Sequence, residues 1–329
     1  MKSPHRARRG ALSRAMAGLA ALLLTAPLAW AQDSRPIEWV VGMAPGGGTD
    51  TVARVLAEAM GRTLQQSIVV VNKPGAAHNI ATDYVVRSKD YGHVMVTADY
   101  ATLATNPFLY SKLTNDAERD LRPVGMLVRF PLILVVRADS PIKDFKGFMA
   151  WARTQQQGVS YGSPGPGTPH HLATELLRER TGLNLVHVPY RGAAPAIQDI
   201  MAGQIPFMFV ESGSGIPYIT GGKLRPLAVA SARRIESLPD TPTLQEEGLK
   251  DFVAFAWQGL SVPTGTPQAT IDRLNQALVG ALQSAPVKAR FEALGIEAMP
   301  TTPAEMASFS HAEKERWGKL IRQIGLKID

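Results

Sequence analysis

From Ile37 onward, short β-type runs take turns with helix-patterned stretches: IEWVVGM, TDTVARVLAEAMG, SIVVVN, a helix from Ile80 to Val86, and HVMVTA. A strand buried between helices must pair with another strand, and a strand followed by a helix returns to the same sheet edge in parallel. The pattern therefore predicts an α/β fold of parallel βα units. In the first helix Val52, Val55, Leu56, Ala59 and Met60 fall on one stripe while Arg54, Glu58 and Arg62 face elsewhere. Gly61 is expected to close that helix as its left-handed terminal residue.

A second series opens at PLILVVRA near residues 131–138. It continues with a helix around FKGFMAWARTQ, strand VSYGS, helix PHHLATELLRERTG, strand LVHVPY, helix APAIQDIMAG, and strands PFMFVE and LRPLAVAS. This reads as a second, self-contained sheet. A further strand, FVAFAWQGLSVP, precedes two helices carrying Ile271, Leu274, Leu278 and Leu282, then Met306, Phe309, Trp317, Leu320, Ile321 and Ile324. Thr302-Pro303-Ala304-Glu305 is a capping box with proline at the first helical position. The first sheet has few helices of its own, so these two are assigned back to it. The expected organisation is residues 1–31 as a leader, 32–134 plus 252–329 as a discontinuous first domain, and 135–251 as the second. Two Rossmann-like sheets joined in this way leave a cleft between them, a common place for a small ligand.

Charge narrows the partners. The 329 residues carry a formal net charge of +7, but Lys2, Arg6, Arg8, Arg9 and Arg14 precede any acid, which leaves 30 basic against 28 acidic residues after Ala31. A body this close to neutral lacks the phosphate-neutralising surface that nucleic-acid binding needs. The same segment, basic MKSPHRARRGALSR followed by apolar AMAGLAALLLTAPLAW and a small-x-small site at Ala29-Trp30-Ala31, reads as an export signal cleaved after Ala31. With no cysteine, disulfides, thiol catalysis and lipid attachment through a thiol drop out, and an exported soluble protein of the periplasm fits best.

Four glycine-rich turns stand between a strand and a helix: Ala44-Pro45-Gly46-Gly47-Gly48-Thr49-Asp50, Asn72 to Asn79, Gly162 to Pro169, and Tyr190-Arg191-Gly192-Ala193-Ala194. Glycine lets backbone approach a ligand, and the unpaired amides at a helix N-terminus attract an anion. In open α/β sheets ligands collect at the carboxyl ends of the strands, where all four turns fall. Thr168 is expected to cap its helix, with Pro169 as first helical residue. Neither the phosphate-loop pattern nor GxGxxG is satisfied, since Gly48 is followed by Thr49-Asp50 and Thr51 replaces the last glycine. No cofactor is expected, and the anion is read as a carboxylate. Candidate wall residues are Met43, Ala44, Pro45, Gly46, Gly47, Gly48, Asp50, His78, Asn79, Tyr100, Ser163, Gly167, Thr168, Tyr190 and Arg191. Arg191 is the candidate for a direct carboxylate contact, and Asp50 either meets an amino group or complements the helix dipole. Gly47→Val is expected to abolish binding.

Two competing chemistries are weaker. Gly158-Val159-Ser160-Tyr161-Gly162 matches the GxSxG of serine hydrolases, with His171, His187 and His311 downstream, but Ser160 falls inside a strand rather than on an elbow. His170 and His171 are adjacent on a helix and point apart, so they are read as surface or capping residues, and no metal set is spaced for ligation. Trp257, Phe207 and Phe209 sit in apolar strands and are assigned to the core.

Several segments in order, PGGGTD, NKPGA, NPFLY, SPGPGTPHHLA, HVPYRGAAPAIQDIMAGQ, LPDTPT and WGKLIRQIGLKID, together resemble the Bug-type receptors of tripartite tricarboxylate transporters. The resemblance spans nearly all of the chain after the leader. It implies a two-lobed venus-flytrap fold without catalytic activity and a monomer that binds a dicarboxylate, aromatic acid or acidic amino acid. It also implies docking on membrane transporter subunits, with a membrane sensor kinase as an alternative partner. By the same resemblance the carboxylate is held by backbone amides of Ala44 to Gly48 with Asp50, and of Ser163 to Thr168. Two departures stand out: Ala77-His78 occupy places where the family has glycines, and Met43 one where it commonly has an aromatic residue.

Overall fold

The computed structural model describes residues 35–328, so the expected leader and its cleavage site lie outside the described residues. Ten strands form: β1 Ile37–Val41, β2 Ile68–Asn72, β3 Val94–Asp99, β4 Leu121–Arg137, β5 Val159–Ser163, β6 Leu185–Pro189, β7 Phe207–Glu211, β8 Leu224–Val229, β9 Phe255–Pro263 and β10 Glu297–Ala298. The helices of eight or more residues are α1 Gly48–Leu64, α2 Asn79–Val86, α3 Phe145–Thr154, α4 Pro169–Thr181, α5 Ala193–Ala202, α6 Ser212–Thr220, α7 Gln268–Gln283, α8 Ala285–Ala293 and α9 Pro303–Ile324.

The strand order is β2-β1-β3-β9-β4-β7-β5-β6, with β8 and β10 also pairing β4. β4 is one 17-residue strand serving two lobes. Its first part, to Pro131, pairs with β9, and Leu132 onward pairs with β7 and β8. The expected all-parallel sheets are therefore corrected. β1, β2 and β3 are parallel, as are β5, β6 and β7, but β9 is antiparallel to β3, and β4 is antiparallel to β7 and β8. The reason is geometric. Strands of both lobes end at the shared cleft and so point toward each other, and a strand that crosses over must run against the lobe it enters. β4 does this in the second lobe and β9 in the first.

The first lobe closes over α1 and α7, whose Val52, Leu56, Met60, Ile271, Leu274 and Leu278 pack on Trp39, Leu127 and Leu260. Helix α9 covers the remaining face through Met306, Trp317, Leu320 and Ile321. It also reaches the second lobe, where Gln323 Nε2 donates to Glu179 Oε1 at 3.2 Å. The capping box at Thr302 and Glu305 forms as expected. Gly61 lies inside α1, and Gln65, at φ 50°, takes the left-handed position. The apolar stripe runs on through Leu64, so burial carries the helix past a glycine that terminates nothing.

Candidate ligand-binding site

A cavity of about 550 Å³ lies where the two sets of strand ends meet, within the range of small-ligand sites. All four glycine-rich turns reach its wall: Gly48 and Thr49 from the first, with Met43 just ahead of it, Ala77 and His78 from the second, Pro164 and Pro166 to Pro169 from the third, Gly192 and Ala193 from the fourth. Tyr100 also lines it. Ala44 to Gly47, Asp50, Asn79, Ser163, Tyr190 and Arg191 stand outside that wall, within the turns that build it.

Several of those outer residues have structural duties. Asp50 is buried, and its carboxylate accepts from Gly46 N, Arg54 Nε and Asn72 Nδ2, each at 2.9 Å. Burial alone pushes its pKa up, but these donors outweigh that and bring it down to about 2. Asp50 thus braces the first turn. Ser163 Oγ, wholly buried, accepts from Gly165 N at 3.1 Å and contacts His187 Nε2 at 2.6 Å. Tyr190 OH donates to Asp199 Oδ2 at 2.6 Å, and Arg191 is exposed.

The helix N-termini around the cavity fall into two kinds. At α4 the amides are consumed: Thr168 Oγ1 accepts from His171 N at 3.4 Å, as expected of the cap, Pro169 has none to give, and Gly167 N donates to His171 Nδ1 at 3.0 Å. At α1, α5 and α6 the residue before the helix, Gly47, Gly192 or Glu211, offers no side-chain cap. Their first amides have no acceptor within the helix, and Gly48, Ala193 and Ser214 at these helix starts line the cavity.

The second turn holds left-handed backbone without glycine: Ala76, Ala77 and His78 have φ of 46°, 45° and 73°. Such residues store roughly 1–3 kcal/mol each. Asn106 anchors the turn by donating to Ala77 O at 2.7 Å, and Thr82 Oγ1 donates to His78 O at 3.1 Å. The imidazole sits over Gly42, where any Cβ would come within 2.8 Å of His78 Cβ. This arrangement puts His78 Nδ1 3.3 Å from Asp99 Oδ2 at the cavity. Restoring glycine should release the strain: Ala77→Gly is expected to raise stability by about 1 kcal/mol, read from urea melts. An unchanged or lower midpoint would show that the turn is not strained.

Of the reading of His170 and His171 as surface or capping residues, the surface part is corrected, while His171 does serve the helix start by accepting from Gly167 N. Both are buried, because the start of α4 is pressed between the cavity and the sheet. Burial holds each imidazole at a pKa of about 3, so both are neutral. His171 stacks on His187 with ring centroids 3.9 Å apart. Ser160 lies inside β5, and neither it nor any other residue of GxSxG lines the cavity. Phe207 and Phe209 are core, and Trp257 is both core and cavity wall.

The wall also contains residues that sequence reasoning passed over: Thr49, Asp99, Thr105, Asn106, Phe130, Glu211 and Gln258. Asp99 and Glu211 each end an apolar strand run, the one local mark that sets them apart. Among the described residues, Tyr100 OH, Thr105 Oγ1, Asn106 Oδ1, Gln258 Oε1 and both His170 ring nitrogens are buried without a hydrogen-bond partner. With His78 Nδ1, seven such atoms belong to residues lining one cavity, a cost to the fold unless a ligand or solvent meets them.

Two α/β lobes joined by crossing strands, with strand ends and helix N-termini converging on the cavity between them, define a solute-binding protein of the periplasmic type. The family model described as the tripartite tricarboxylate transporter family receptor matches residues 52–326, and the chain belongs to that family. A protein encoded in the tcbD–tcbE intergenic region of Pseudomonas sp. is 35% identical over 96% of this chain and 95% of its own length. The solved structure of the periplasmic binding protein BugD is 32% identical and superposes with a TM-score of 0.78, covering 89% of this chain and 99% of that one. R. palustris Rpa4515 with adipate is 29% identical with a TM-score of 0.82, covering 90% and 99%. Among the described residues, no helix is long and apolar enough to cross a membrane.

Proposed function

We propose that this chain is a non-catalytic periplasmic receptor that binds a small organic acid between its lobes and hands it to the membrane subunits of a tripartite transporter. The observation that carries the reading is the single cavity reached by four glycine-rich turns and walled by orphaned polar atoms. The uncapped starts of α1, α5 and α6 supply amides for a carboxylate, and the adipate held by a relative of the same fold supports that class of ligand. Met43, Gly48, His78, Tyr100, Gly167 and Thr168 touch the ligand, Ala44 to Gly47, Asp50, Asn79, Ser163 and Tyr190 hold the turns in place, and Arg191 stands exposed in the fourth turn. The lobes follow residues 32–134 plus 252–329 and 135–251, with β4 and β9 as the connections between them.

A thermal-shift screen of C4 to C6 dicarboxylates, benzoates, pyridine carboxylates and amino acids tests this. A true ligand at a hundred times its Kd stabilises by about 2.7 kcal/mol and raises Tm by several degrees. In Gly47→Val the fold is expected to keep its own Tm, because Gly47 has φ −76° and an added Cβ meets nothing closer than Ala44 O at 3.7 Å. The ligand-induced shift is expected to vanish, since the valine blocks approach to the α1 amides. If no acid in the screen moves the wild-type Tm, the receptor reading is wrong.

A further inference from the structure

The cavity that the receptor reading fills with an acid has acids in its own wall. Asp99 ends β3 in the first lobe and Glu211 ends β7 in the second, and among the described residues no lysine or arginine lines the cavity they share. Asp99 is partly satisfied, since its Oδ1 accepts from Thr102 N at 3.0 Å, while His78 Nδ1, 3.3 Å from Oδ2, makes no hydrogen bond to it. Glu211 is not. Among the described residues nothing donates a hydrogen bond to its carboxyl group, and its nearest basic atom, His170 Nε2, is 3.9 Å away on a buried, neutral ring. The two carboxyls sense each other: burial first and the Asp99 charge second raise the Glu211 pKa to about 7. Such a wall repels a second carboxylate and lacks a cation to balance it.

The orphaned atoms are independent evidence that something polar belongs here. His170, 3% exposed, lines the cavity with Nε2 3.9 Å from Glu211 Oε1, and neither of its ring nitrogens has a partner on the protein; the Thr105 hydroxyl, on another wall residue, has none either. Neutral His170 offers one donor and one acceptor, and the hydroxyl offers both. Phe130, Trp257 and Leu109 supply apolar wall for the body of a ligand.

We propose that Asp99 and Glu211 form a cation subsite, so that the ligand is a carboxylic acid carrying a protonated amine. The amine sits between the two carboxyls, and the acid group meets the helix amides on which the receptor reading rests. Closing the lobes brings Asp99 and Glu211 onto one ammonium group, which places both charges against a counter-ion instead of against each other.

Matched pairs differing only in the amine decide the matter by isothermal titration calorimetry at pH 8: L-phenylalanine against 3-phenylpropionate, L-glutamate against glutarate, and 4-aminobutyrate against butyrate. The expected result is at least tenfold tighter binding of the amino member in the pair whose body fits. Glu211→Gln is expected to remove that margin and to let the amine-free acid bind more tightly than it binds wild type. Asp99→Asn, in which Oδ1 still accepts from Thr102 N, is expected to act in the same direction. Equal or tighter binding of the amine-free acid by wild type overturns the cation subsite while leaving an acid receptor intact. Binding of neither member in any pair overturns the subsite as well, and together with a silent acid screen it removes the receptor reading.

Discussion

Gly167→Val is expected to lower stability by about 2–4 kcal/mol and to weaken ligand binding at least 100-fold. Two independent facts set the size of the effect. Gly167 has φ +73°, a conformation that costs a non-glycine residue roughly 1–3 kcal/mol, and a β-branched side chain lies at the upper end. A Cβ at this position would also stand 2.3 Å from Leu109 Cδ1, and Leu109 is itself a buried residue of the first lobe. The overlap falls where the two lobes touch across the cavity. A valine there forces the buried Leu109 side chain to move and strains the backbone whose amide donates to His171. The contributions separate in the Leu109→Ala background, where Gly167→Ala loses the overlap but keeps the backbone strain. Denaturant melts and calorimetry on the four proteins check this. A valine variant with wild-type midpoint and affinity would show that neither the left-handed backbone nor the contact with Leu109 matters.

The contrast between Gly47 and Gly167 shows what a sequence can reveal about such a site. The four turns were legible because glycine and proline act locally, and a Thr-Pro pair before a helical stripe needs no knowledge of the rest of the chain. Which glycine is irreplaceable depends on φ and on a neighbour 58 positions away in the chain, and neither is written in the turn itself. The extent of β4 was hidden for a related reason. Pro123 and Pro131 look like strand breakers, yet a register shift follows Pro123, and Pro131 falls where β4 leaves β9 and begins to pair with β7 at Leu132. Helix α6 was missed because it contains Ser212, Gly213, Ser214, Gly215 and Pro217, a poor helix by propensity, formed where the chain turns back after β7. Asp99 and Glu211 come together only through the two-lobed arrangement, so no spacing rule links them. The resemblance to Bug-type receptors did mark Ala77 and His78 as departures, and those positions carry the strained backbone.

The floor beneath Tyr100 and Trp257 supports the second large expectation, that Glu313→Leu costs about 3–5 kcal/mol of folding stability. Glu313 Oε2 accepts from two indoles, Trp257 Nε1 at 3.2 Å and Trp317 Nε1 at 2.8 Å, and each indole is 1% exposed. Removing the acceptor orphans two buried donors at roughly 1–3 kcal/mol each, more than a leucine regains by its own burial. It also leaves Arg316, whose Nη1 lies 3.3 Å from Glu313 Oε1, without its acid. Because Tyr100 meets both rings edge-on, at centroid distances of 6.2 Å and 5.7 Å, the loss carries through to the cavity wall. Glu313→Gln separates charge from hydrogen bonding: its amide oxygen still accepts from both indoles, so it is expected to recover most of the stability and nearly all of the ligand affinity. Urea unfolding followed by tryptophan emission reads both the midpoint and the indole environment. If Glu313→Leu shifts stability by less than about 1 kcal/mol, or Glu313→Gln is as damaging as leucine, then the indoles are not held by that carboxylate and the wall must take its rigidity from packing alone.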